Sequence, residues 1–213
     1  MRRSVLAAGF LAVLALPVPA LAQQSDNQPW NGGFDQKSER RSDFVFAVSP
    51  SLVLMAADGY PNEISKINDP AYKTSSGFAY GPGCQAWIGG ALRDWFTFGV
   101  GGAYLQGGNT STLTTGGAFL VHLEAFPFYR LGLKDLAVYA NFGAGGLSLH
   151  AAHDRHAAAG FASIGGGGVA YEVARIGHFA FAPTAEYMLI ASQSLTASQA
   201  LIGARVVFYG GPS

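Results

Sequence analysis

Two groups of residues in this sequence carry types that can do chemistry. The first is the run His150-Ala-Ala-His153-Asp154-Arg155-His156. Neutral imidazole is a good ligand for divalent metals, and a nearby carboxylate completes such a set. Histidine also changes charge near about pH 6.5, so the same run could respond to acid. The spacing contains no His-Glu-x-x-His pair. The expectation is therefore a solvated loop, with no metal at His150, His153 or His156 and no cofactor elsewhere. The second group is dispersed: His122, Glu124, Glu172, Glu186 and Arg205, with Gln85 and Asn141 as neutral companions. Each falls on the small or polar face of an alternating segment. Folding the last hairpin about residue 195 sets Glu186 opposite Arg205, a predicted ion pair. Three carboxylates against one guanidinium leave negative charge for water or His122 to offset. Such a set can be a structural polar plug, a proton path or a catalytic carboxylate pair; the plug is the expectation.

Other chemistry is thin. Gly143 to Gly146 and Gly165 to Gly168 are glycine-rich, but no Gly-Lys-Ser/Thr follows, so no phosphate loop is formed. Glycine there relieves crowding and permits curvature, or bares a patch for a lipid chain. No His-x-Ser segment stands beside a loop, and Ser163 is far from any clear triad. Cys84 is the sole cysteine, so no internal disulfide is possible.

The elements that position these residues read as strands. From Phe44 to Leu54, Phe44, Phe46, Val48, Pro50, Leu52 and Leu54 alternate with Val45, Ala47, Ser49, Ser51 and Val53. Period two is the signature of a strand. The pattern recurs, giving eight strands near 43–56, 77–91, 95–107, 113–128, 135–149, 159–174, 178–191 and 198–209. Most are long enough for a tilted strand to cross a bilayer, which takes about nine to eleven residues. Short turns at 92–94, 131–134 and 175–177 alternate with longer polar connections at 57–76, 108–112, 150–158 and 192–197. Aromatic residues gather near the strand ends, as at a water–lipid boundary. The bulky face is nearly free of charge and points to lipid. Trp87, Phe126, Phe128 and Tyr139 are expected to fill the lumen.

Ahead of the strands, Arg2 and Arg3 precede an apolar stretch from Val5 to Leu16 and the small-x-small site Ala20-Leu21-Ala22. That is the pattern of a secretory signal peptide, expected over 1–22. Residues 23–42 are polar and expected to be a flexible periplasmic lead-in. The barrel is expected over 43–213.

The chain resembles small eight-stranded outer-membrane β-barrels of the OmpA/OmpX or opacity-protein type. The resemblance rests on the signal peptide, the alternation, the loop asymmetry and the last strand, Ala204-Arg205-Val206-Val207-Phe208-Tyr209, which ends in aromatics as the class's assembly signal does. It implies an all-β, antiparallel, up-and-down transmembrane barrel in the outer membrane of a Gram-negative bacterium. It implies contact with outer-membrane lipid and lipopolysaccharide, and with the barrel-assembly machinery. A structural or surface-interaction role through extracellular loops is expected rather than an enzyme. The alternatives are a lipid A-modifying enzyme and a narrow pore for small solutes; the sequence specifies no oligomeric state.

Composition narrows the rest. Of 213 residues 49% are hydrophobic and only 12% charged, with a formal net charge of +0. No positive field exists to hold phosphate backbones, which excludes a nucleic-acid partner. The apolar content is too high for a disordered chain.

Overall fold

The alternating segments become eight long antiparallel strands in the computed structural model, which describes residues 41–129, 131–151 and 156–211. They are β1 (Asp43–Gly59), β2 (Ala79–Arg93), β3 (Phe96–Gly108), β4 (Thr112–Ala125), β5 (Leu136–Ala151), β6 (His156–Tyr171), β7 (Phe179–Ala191) and β8 (Leu195–Tyr209). Each strand pairs with the next, and β8 returns to β1 in register from Val45–Tyr209 to Gly59–Leu195. The sheet therefore closes round from β8 to β1, while the loop end of β6, ahead of Ser163, runs past its ladder with β7. Closure is what a strand protein needs in hydrocarbon, where an unpaired N–H or C=O finds no partner. No helix among the described residues is long and apolar enough to cross a membrane.

Two strand ends differ from the sequence pattern, each for a local reason. β4 stops at Ala125 because Pro127 has no N–H to give the ladder. Phe126 to Tyr129 instead make a turn, with the Tyr129 amide donating to the Phe126 carbonyl at 3.2 Å. Phe126 stays inside, but Phe128 is carried to the turn surface, 39% exposed, and does not fill the lumen as expected. Between β6 and the short Ala174–Ile176 pairing, the register against β7 slips by one: Ala170 lies opposite Thr184, yet Ala174 lies opposite Phe181. The alternation breaks at Val173–Ala174, both exposed, whereas Glu172, two residues past the inward Ala170, keeps the inner face and is buried.

The two faces separate as the alternation requires. Phe46, Val100, Phe142, Val169, Phe181 and Ile202 are well exposed on the outside. The inside is close-packed but not uniform. Toward the short turns it holds the charged and amide side chains. Toward the long loops it is aliphatic: Met55, Leu105, Leu149, Met188, Ile190 and Leu195 are all buried in one cluster. The alternation predicts an inner face of glycine, alanine, polar groups and a few aromatic rings, and the aliphatic half departs from it.

Both mouths are covered. At the loop end, Thr74–Ser75 pairs with Asp58 and Gly59. The Ser76 hydroxyl accepts from the Ala57 amide at 2.8 Å, and Asn109 Nδ2 donates to the Ser76 carbonyl at 2.7 Å. The first long loop is thus tied down to β1 and to the β3–β4 turn. At the turn end, the cover is Arg41.

Candidate functional site

Three layers of polar side chains fill the turn half of the barrel. The lowest is built on Arg41, which immediately precedes β1. Its backbone N–H donates to Asp94 Oδ1 at 2.8 Å, in the β2–β3 turn. Its guanidinium donates to the Asp94 carbonyl at 3.2 Å and to the Lys134 carbonyl at 3.1 Å, in the β4–β5 turn. It pairs with Glu172 at 2.8 Å and 3.3 Å. The guanidinium also lies 3.5 Å above the centre of the Phe126 ring. Burial works against the charge of Arg41, but the Glu172 carboxylate outweighs it and holds the guanidinium above its ordinary value. Tyr209, the last residue of β8, donates its hydroxyl to Glu172 at 2.6 Å. One carboxylate thus joins the residue before the first strand to the end of the last.

The second layer is Glu124 on β4 with Arg205 on β8, an ion pair sealed from solvent. Thr97 on β3 donates to the other carboxylate oxygen at 3.0 Å. In the third layer, Glu186 on β7 accepts from Asn141 Nδ2 at 2.7 Å and from Gln85 Nε2 at 2.9 Å. His122 links the two upper layers. Its Nδ1 lies 2.8 Å from Asn141 Oδ1, its ring stacks on Trp87 at 4.4 Å, and its Nε2 lies 3.9 Å from Glu124.

The structure therefore gathers His122, Glu124, Glu172, Glu186 and Arg205 within one lumen, but pairs them differently from the expectation. Arg205 lies opposite Ala182, and Glu186 opposite Leu201. The hairpin turns at Ser192–Ser194, where the Ser192 hydroxyl accepts from the Leu195 amide at 3.0 Å. With the turn placed earlier than residue 195, Arg205 slides away from Glu186 and meets Glu124 across the barrel.

Arg41 is the residue that sequence reasoning missed. It shares its composition with Arg40 beside it, and its partner Glu172 is 131 residues away. Nothing local marks it; the only hint is a surplus of inward carboxylates in want of a second cation. Tyr209 was legible as a terminal aromatic, but not as a donor.

Sequence comparison is silent on this chain: no family model matches it, and no curated protein does. Solved structures of similar build exist. Ail, the attachment invasion locus protein of Yersinia pestis, superposes with a TM-score of 0.49 at 10% identity, over 78% of this chain and 99% of that one. Neisserial surface protein A gives 0.48 at 13%, over 77% and 96%. The outer membrane protein OprG from Pseudomonas aeruginosa gives 0.45 at 9%, over 80% and 98%. At such identities none of them lends its activity to this chain.

The histidine run is only partly within the described residues. His150 is exposed near the end of β5, with Nε2 2.8 Å from the Ser148 hydroxyl. His156 begins β6, and its backbone lies opposite that of His150. His153, Asp154 and Arg155 lie outside the described residues. Among the described residues no three His, Cys, Asp or Glu side chains stand close enough to hold a metal ion. Cys84 is free and faces outward.

Proposed function

We propose that this chain is an integral outer-membrane β-barrel with a structural or surface-interaction role, closed to solute flow and presenting a folded loop outward. The observation that carries the reading is the distribution of side chains. Large apolar groups cover the exterior of a closed sheet, and ionisable groups are packed inside it. A water-soluble barrel would invert that arrangement, whereas a bilayer requires it.

Closure to solutes is supported by the filling. Arg41, Phe126, Glu124, Arg205, Met188 and Leu149 are each 2% exposed or less. Side chains this inaccessible to water support a filled lumen rather than an open channel. Eight strands enclose little more than their own side chains in any case.

On this reading the outer surface meets outer-membrane lipid and lipopolysaccharide, and the aromatic end of β8 serves the barrel-assembly machinery. The short turns face the periplasm. The loop over 60–76 faces outward as a folded unit: Asp69 caps the short helix Pro70–Tyr72, and Lys66 bridges Glu63 at 2.7 Å. Ile64, 87% exposed, is the apolar contact such a loop offers.

Heat-modifiable gel migration after refolding into vesicles tests the barrel, and planar-bilayer recording tests the closure. The expected outcome is a faster-migrating folded band and a silent bilayer. Regular unitary openings from the folded protein would replace this reading with that of a pore.

A further inference from the structure

We propose that Ser148 and His150 on the outer face of β5 form a nucleophile–base pair that cleaves fatty acyl esters of lipids in the outer leaflet. The proposal rests on the loop end of the barrel facing outward and adds a chemistry to it.

The geometry starts from the strand. Residues two apart on a strand share a face, so Ser148 and His150 both project outward on β5. The serine hydroxyl lies 2.8 Å from His150 Nε2. With the ring proton on Nδ1, Nε2 accepts from the hydroxyl, which is the contact that activates a serine. The order Ser-x-His serves as well as His-x-Ser, because a strand places either pair side by side.

A second feature stands next to the pair. Gly117 on β4 lies opposite Gly146 on β5, one outward step below the Thr115–Ser148 pairing. A Cβ at Gly117 would meet only the Ala103 carbonyl, at 3.8 Å, so the wall is bare there. Below this floor Phe119 lies opposite Ala144, and Phe161 stands on β6 at the slip in register between Gly145 and Leu147. Phe119 is 58% and Phe161 81% exposed. Between the two rings the wall carries only the Ala144 methyl and then Gly146 and Gly117, a low strip that leads up to Ser148. An acyl chain lying along the barrel in the hydrocarbon layer fits that strip, with its ester reaching the hydroxyl just beyond the aromatic residues.

The step balances within the site. Ser148 Oγ bonds to the ester carbonyl carbon as its proton passes to His150 Nε2. The bond from that carbon to the alcohol oxygen breaks, and His150 returns the proton to the departing oxygen. Water then attacks the acyl-serine by the same route, releasing a free fatty acid.

The substrate class is a long-chain acyl ester, and either a phospholipid or lipid A carries it. The test uses the full chain refolded into detergent, checked by heat-modifiable migration. It is supplied with phosphatidylethanolamine vesicles in one arm and purified lipid A in the other, with released fatty acid read by mass spectrometry. A fluorophosphonate probe then marks any activated serine, located by peptide mapping. The expected result is fatty acid from one arm, which names the source, and probe on Ser148. Ser148→Ala loses both, His150→Ala loses about a hundredfold or more in rate, and Gly117→Leu, filling the floor, loses long-chain but keeps short-chain ester cleavage. Folded wild-type protein that releases nothing from either lipid overturns the proposal, as does Ser148→Ala working at the wild-type rate. Absence of the folded band instead overturns the barrel reading, so the two failures are told apart.

Discussion

Arg41 and Glu172 are 131 residues apart in the chain, and their side chains meet at 2.8 Å with neither exposed by more than a few per cent. The pair joins the segment before β1 to the end of β6, and Tyr209 adds β8 to the same carboxylate. The seam where the first and last strands meet is therefore fastened at its base by side chains as well as by the ladder.

Removing one member of that pair leaves the other buried without its counter-charge. Arg41→Ala is expected to cost about 3–5 kcal/mol, the usual cost of breaking a buried pair. Tyr209→Phe, which deletes one hydrogen bond to a charged acceptor, is expected to cost about 1.5–3 kcal/mol. Urea unfolding midpoints in vesicles measure both. If Arg41→Ala unfolds like wild type, the guanidinium is not seated where it is described.

The second layer yields a contrast rather than a single loss. Glu124→Leu strands Arg205, and Arg205→Met strands Glu124, so each is expected to destabilise strongly. Glu124→Leu combined with Arg205→Met removes both charges together and is expected to recover most of the loss. A double variant as unstable as the sum of the two singles would show that the pair is not coupled.

Gln199 is a polar intruder in the aliphatic half. It lies between Met55 on β1 and Met188 on β7. It is buried, and neither end of its amide has a hydrogen-bond partner among the described residues. An unsatisfied buried amide costs about 1–3 kcal/mol, so Gln199→Met is expected to stabilise the barrel by a similar amount. A lower urea midpoint for this variant would mean that the amide has a partner after all.

Glycine on the two faces should respond in opposite ways. Gly203 on β8 lies opposite Ser51 on β1, and a Cβ there would run into the Pro50 carbonyl oxygen. At Gly165 on the outer face of β6 a Cβ would meet nothing within 4 Å. Gly203→Ala is expected to impair closure of the seam, and Gly165→Ala to fold as wild type. The yield of heat-modifiable band after a fixed refolding time reads the difference.

How much of this was legible in the sequence depends on how local the cause is. Side-chain direction in a strand is set residue by residue, so Phe44 to Leu54 announced both the strand and its outward face. Around Tyr187-Met188-Leu189-Ile190 both faces are apolar, the alternation flattens, and the aliphatic core of the loop half could not be separated from the lipid face. The Glu124–Arg205 pairing failed for a different reason. It depends on where the last hairpin turns, and Ser192–Ser194 settles that through its own hydroxyl contacts. Arg41 was out of reach because its partners Asp94, Lys134 and Glu172 come from three separate connections between strands.

The membrane reading itself can be tested by depth. Val100 lies near the middle of β3 on the outer face, and Tyr80 lies at the loop end of β2 on the same face. In hydrocarbon, arginine at mid-depth costs about 2–4 kcal/mol and near the interface about 0–1. Val100→Arg is therefore expected to lower the urea midpoint in vesicles clearly, and Tyr80→Arg hardly at all. On a water-facing exterior both would be harmless, since an exposed arginine is at ease in water and neither position packs against the interior. Equal and small effects from the two would place the outer wall in solvent, and the polar lumen would then need another explanation.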